Sequence, residues 1–204
     1  MNKELKPYKS YNVLSGKDSK VKILHVTGYK PTELGIFKEN DPRIVFIKAA
    51  LEKRLRTFIE EGLEWVIISG QMGIEQWTAD VIMDLKEEYD VQIGVFPPFE
   101  NQDQRWPDPI KEKYEELMMT ADFFKPLYKG EYQGAYQFRA KDLWLIDKSD
   151  AALLLVDDEY PGSVKFFYDA TKRTSKEYPI FTITPQDLDD IVQELQMQDP
   201  NYWD

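Results

Sequence analysis

The chain contains no cysteine. Disulfides, thiolate catalysis and cysteine-based metal sites are therefore excluded. It has one histidine, His25, too few for an HExxH helix or a multi-histidine zinc centre and a poor basis for a Ser-His-Asp arrangement. Long apolar runs are missing: the longest, Ala151 to Val156, falls far short of the roughly 18 residues of a membrane span. Lys3, Lys6 and Lys9 lead into no apolar stretch, so the N-terminus does not read as a secretory signal. The expectation is a cytoplasmic protein with no membrane contact.

Positive charge is also scarce. The 26 Lys and Arg against 37 Asp and Glu leave a net charge of −11. That argues against nucleic acid as a partner, because a sequence-independent grip on phosphate backbones needs clustered Lys and Arg. A small anionic ligand remains compatible, since backbone N–H groups hold an anion without net positive charge. No G-x-G-x-x-G follows the first strand, and neither G-x-x-x-x-G-K-[ST] nor G-x-S-x-G occurs. Ordinary dehydrogenase-type NAD binding, Walker-type ATP hydrolysis and a serine-hydrolase elbow are poor readings. The carboxylates of Asp84 to Asp90 have no metal-ligand spacing and read as a solvated helix end.

What is present is a chain of 204 residues, 42% hydrophobic and 31% charged, enough for one domain with a real core. Residues 1–20 lack periodicity and read as a tail or arm. Residues 21–204 read as one domain. There, apolar strands alternate with amphipathic helices. Strands are expected at Val21 to Thr27, Glu64 to Ser69, Val91 to Phe96, Ala151 to Val156 and Ile180 to Ile183, with Phe123 to Leu127 a short or edge strand at most because of Pro126. Asp41-Pro42 marks a helix start, and Ile44, Ile47, Leu51, Leu55 and Phe58 form its stripe up to Gly62. Further helices are expected from Gly73 to about Leu85, after Asp108-Pro109, over Tyr136 to Asp147, from Ser163 to Lys176, and after the cap Thr184 to Asp187. Strands apolar on both faces, separated by single helices, imply a doubly wound, mostly parallel α/β sheet with helices on both faces.

Right-handed crossovers gather the loops that follow the strands at one sheet edge. Four such loops stand out: Gly28-Tyr29-Lys30-Pro31, Gly70-Gln71-Met72-Gly73, Pro97 to Trp106, and Asp157 to Ser163. The helices starting at Gly73 and near Ser163 would aim free N–H groups at this edge. An anionic or nucleotide-like ligand follows; the alternative is that these glycines only make tight turns. Trp106, in a polar loop after Arg105, is the better base-stacking candidate. Trp77 falls on a helix stripe and reads as core. His25 lies inside a strand and reads as a satisfied structural histidine.

VTGYKP after the first strand, SGQMGIEQWTADV after the second, QFRAKDLWLIDKSDAALLLV and PGSVKFFYDA resemble the YpsA family over about Val21 to Thr184. That bacterial family has a Rossmann-like fold within the SLOG superfamily, beside DprA/Smf and the Lonely Guy phosphoribohydrolases. The resemblance implies a nucleotide or nucleotide-derivative ligand, such as an ADP-ribose-like molecule, and no other cofactor. Residue by residue it makes Gly28, Gly70, Gly73, Glu75, Arg139, Gly162 and Ser163 the site, with Tyr29, Lys30 and Gln71 beside them. Glu75 would meet ribose hydroxyls or cap its own helix. Arg139 would form a fork to a phosphate, and Ser163 would bind a phosphate, N-cap its helix, or both.

Three functions follow. The first is a binding module, a sensor or regulator passing occupancy to a protein partner. The second is a nucleotide N-glycosidase, for which Glu75 could supply the carboxylate, Asp169 being only adjacent to the expected place. Against it, Pro161 to Asp169 departs from the PGGxGTxxE segment of the Lonely Guy relatives. The third is single-stranded DNA binding, opposed by the charge. Self-association is left open by the sequence.

Overall fold

Apolar strands linked by amphipathic helices build one six-stranded sheet in the computed structural model, which describes residues 20–175 and 177–198. The strands are β1 (Ile23–Gly28), β2 (Trp65–Ile68), β3 (Gln92–Val95), β4 (Phe123–Phe124), β5 (Ala151–Leu155) and β6 (Ile180–Ile183). Their order is β4-β3-β2-β1-β5-β6, and every pairing is parallel. The helices are α1 (Arg43–Glu60), α2 (Ile74–Leu85), α3 (Asp108–Thr120), α4 (Ala135–Lys148), α5 (Lys165–Thr171) and α6 (Pro185–Gln198). Helix α1 packs on α2 and α6, and α2 on α3, while α4 packs with α5. This is the expected doubly wound, Rossmann-like arrangement. The arm assigned to residues 1–20 lies outside the described residues except for Lys20, as do residues 199–204.

The core follows from the sequence pattern. All five residues of β5 are buried, as a central parallel strand covered on both faces requires. The stripe Ile44, Ile47, Leu51, Leu55 and Phe58 is buried on α1. Asp41 starts that helix as anticipated: its Oδ1 accepts the Arg43 N–H at 3.0 Å. Pro126 leaves β4 a two-residue strand at the sheet edge. Trp77 is core, 6% exposed.

The first loop leads into a 3-10 turn at Pro31–Leu34. One local expectation is corrected. The helix expected from Ser163 to Lys176 is a 3-10 turn, Gly162–Val164, running into the short α5. At and past its end, the Thr171 and Thr174 hydroxyls donate to the Tyr168 and Thr171 carbonyls. Such local side-chain bonds compete with continued helix.

The winding direction reverses at β1, which has β2 on one side and β5 on the other. Loops diverge there, and a crevice opens beyond the strand ends.

The cap of α6 is reciprocal. The Thr184 N–H and hydroxyl reach Asp187 Oδ2 at 2.7 and 2.6 Å, and the Asp187 N–H returns to Thr184 Oγ1 at 3.3 Å. Asp187→Ala is expected to cost about 1 kcal/mol in urea unfolding; an unchanged midpoint would show that the cap contributes nothing.

Candidate functional site

Where the winding reverses, a cavity of about 530 Å³ opens between the ends of β1 and β2 and helices α4 and α5. That size suits a small organic ligand. Its deepest polar feature is a carboxylate. Glu75, in the first turn of α2, is 3% exposed. Its Oε1 accepts the Thr27 hydroxyl at 2.7 Å, and its Oε2 accepts the Ser69 N–H, the Ser69 hydroxyl and the Gln71 N–H at 2.7, 2.7 and 3.1 Å. Glu75 thus neither caps its own helix nor stands free. It ties the ends of β1 and β2 to the SGQMG turn.

Beside it on α4 lie Lys141 and Asp142, joined by a 2.7 Å ion pair with side chains 15% and 10% exposed. Burial alone would pull the Lys141 ammonium down in pKa; the charges of Asp142 and Glu75, with the Asp142 hydrogen bond, outweigh it and hold the group above its ordinary value. Under this floor His25 is fully buried, its Nδ1 3.0 Å from the Ile67 carbonyl, so Nδ1 carries the proton. Burial pushes its pKa down against the pull of Glu75, which keeps the ring neutral near pH 7. The histidine is only half satisfied: Nε2 is buried and has no hydrogen-bond partner among the described residues.

A second carboxylate closes another side. Glu33 Oε1 accepts the Ser163 N–H at 2.7 Å, while its Oε2 accepts the Ser163 hydroxyl at 2.8 Å and the Lys30 N–H at 2.9 Å. Partial desolvation raises the Glu33 pKa, but these bonds prevail and hold it below the ordinary carboxylate value. The Tyr29 hydroxyl accepts the Asp157 N–H at 2.9 Å, so the first loop is stapled twice to the loop after β5.

The residues singled out in the sequence divide accordingly. Gly28, Lys30, Gln71, Glu75, Arg139 and Ser163 line the cavity; Tyr29, Gly70, Gly73, Trp106 and Gly162 do not. Gly73 is needed for packing. At φ 93° its added Cβ would stand 2.6 Å from the Tyr29 carbonyl oxygen. Gly70 sits under Tyr114, and Gly162 against Glu33. Trp106 packs edge-on to Tyr114 at 5.3 Å, inside the hydrophobic layer. The aromatic wall of the cavity comes instead from Phe138, Phe166 and Phe167, the first two 38% and 62% exposed.

The expectation of free turn amides is thus corrected at Ser69, Gln71 and Ser163, whose N–H groups are taken by the chain's own carboxylates. Sequence reasoning missed Lys141, Asp142, Glu33 and Arg173, and gave Asp169 only a marginal place. The first two carried a signal, since QFRAKD puts two more charges within a helical turn of Arg139.

The model of the YpsA family, described as the YspA SLOG family, matches residues 24–188. A UPF0398 protein of Oceanobacillus iheyensis is 74% identical over 184 residues, spanning 90% of this chain and 100% of its own length. UPF0398 protein YpsA of Bacillus subtilis is 46% identical over 177 residues, spanning 85% and 98%. Among solved structures, DNA processing protein A of Helicobacter pylori, described for its single-stranded DNA binding mode, superposes with a TM-score of 0.54 at 11% identity, over 87% of this chain and 81% of its own. The same protein of Streptococcus pneumoniae gives 0.54 at 12%, over 88% and 57%. At such identity the likeness speaks for the fold alone.

Two outcomes are expected. Glu75→Gln sets an amide NH₂ against donors and should destabilise the fold by about 3 kcal/mol in denaturant unfolding; a loss within measurement scatter would contradict the clamp. The Glu33 carboxyl ionises below its ordinary value when folded, so its contact contributes stability above that value and loses it as pH falls through the lowered one. A carboxyl NMR titration should find Glu33 depressed, and Ser163→Ala should raise it toward normal; an unshifted Glu33 in the parent protein would contradict the staple.

Proposed function

The chain belongs to the YpsA family of the SLOG superfamily, and on that premise we propose that it is a nucleotide or nucleotide-derivative binding protein, a sensor or regulator rather than an enzyme with robust turnover. One observation carries the reading: the cavity at the winding reversal combines the cations Lys30, Arg139, Lys141 and Arg173 with the exposed rings Phe138 and Phe166. In a protein of net charge −11, such a concentration of cations calls for an anion. The rings offer apolar faces to a base. An ADP-ribose-like molecule has the same two features.

The N-glycosidase reading is second, and Asp169 is what favours it. Asp169 is among the residues that line the cavity, beside Ala170 and Arg173, with its carboxylate 3.7 Å from the Lys172 ammonium. Against it, both oxygens of Glu75 are already engaged, by four donors in all. Single-stranded DNA, bound by the Helicobacter pylori neighbour, fits less well, since the protein carries a net charge of −11. No helix among the described residues is long and apolar enough to cross a membrane.

Gly73→Asp is a poor probe of this site, because a side chain there strikes the Tyr29 carbonyl before it meets any ligand. The direct test is a thermal-shift titration with nucleosides, nucleoside mono- and diphosphates and ADP-ribose. Saturable stabilisation by phosphorylated members is expected, rising with concentration as mass action requires. Chromatography of the same mixtures should show no free base. A melting temperature unmoved by every nucleotide would overturn the reading; base release abolished in Asp169→Asn would establish the enzyme instead.

A further inference from the structure

Resting on the nucleotide reading, we infer that the ligand lies phosphate outward, its anion on a rim formed by Arg139, Arg173 and Lys30 and its donor-rich nucleoside end toward the floor formed by Glu75, Lys141 and Asp142. The glycine turns of an α/β sheet would ordinarily hold the phosphate against their amides. Here four of the amides at these turns are already engaged. Glu75 takes the Ser69 and Gln71 N–H groups, and Glu33 takes those of Ser163 and Lys30. A phosphate arriving at the SGQMG turn would have to expel a carboxylate 3% exposed and bound by four donors. It would also face that charge at close range until it did so.

The distribution of charge through the cavity agrees. The floor holds two carboxylates to one ammonium, a net charge of −1 on residues that are nearly buried. The outer wall holds the side chains of Arg139, Arg173 and Lys30 against the single acid Asp169, a net charge of +2. Arg139 and Arg173 are exposed and Lys30 half-buried. Among the described residues none of these three cations is engaged in an ion pair. Guanidinium forks suit phosphate oxygens. Carboxylates, which only accept hydrogen bonds, suit the hydroxyl and amino donors of a nucleoside. Phe138 and Phe166 also line the cavity.

Isothermal titration of the full chain with adenosine, AMP and ADP, and with the guanosine series, separates the two ends. Arg139→Gln and Arg173→Gln should each weaken the phosphorylated ligands about tenfold and leave the nucleosides unchanged. Asp142→Asn should weaken nucleoside and nucleotide by the same factor. Lys111→Gln, a cation outside the cavity, should change neither. Both arginine variants replace exposed side chains, and coincident unfolding midpoints confirm that the fold is intact. A phosphate increment that survives both arginine substitutions and disappears in Ser163→Ala puts the anion on the turn and overturns the inference while sparing the nucleotide reading. Failure of every nucleotide to bind the parent protein overturns the reading itself, and the inference with it.

Discussion

A buried carboxylate must be saturated with donors or it will not stay ionised. That requirement at Glu75 organises this end of the molecule. Four donors come from three places: Thr27 on the last turn of β1's path, Ser69 just beyond β2, and Gln71 in the following turn. Each is a polar residue at or past the end of an apolar strand. Drawn onto one carboxylate, they hold two strand ends and a turn in fixed relation. On the other side Glu33, an exposed carboxylate, binds the first loop to Ser163. The crevice of a doubly wound sheet is thereby given a definite shape before any ligand arrives, which lowers the ordering cost of binding.

The same economy changes what the crevice can bind with. Amides spent on internal carboxylates cannot also cradle a phosphate, so under the proposed reading an anion would meet side chains instead: Arg139 on α4, Arg173 past α5 and Lys30 in the first loop. Guanidinium groups on long stems differ from fixed amides in reach and in solvent exposure. Their pull is felt further out and is more sensitive to salt. On an acidic molecule this makes the cavity mouth an island of opposite sign, suited to drawing in small anions while the surrounding surface repels extended polyanions.

The fold was legible in the sequence because its signals are periodic and local: strands apolar on both faces, the Ile44 to Phe58 stripe, the caps at Asp41 and Thr184. The convergence of the strand-end loops was legible too, since topology alone brings Gly28, Gln71 and Ser163 to one edge. What each residue does there was less so. Gly73 and Gly162 look the same in sequence whether they face a ligand or a neighbouring backbone, and only the coordinates reveal the Tyr29 carbonyl and the Glu33 carboxylate beside them. Trp106 looked free because its loop is polar, but Tyr114, eight residues on, supplies a ring to pack against. Glu33 escaped notice because its partner is 130 positions away. Lys141 and Asp142 were in plain sight, yet nothing in a helical charge pair says which side of the helix is buried.

The most direct measurement is a backbone amide NMR map of the protein titrated with a nucleoside monophosphate. Saturable shifts are predicted at Thr27, Gly28 and Gln71 on the strand ends and at Phe138, Arg139 and Asp169 on the two facing helices, with surface helix α6 unmoved. Shifts confined to residues outside the cavity, or none at all at millimolar nucleotide, would contradict the account.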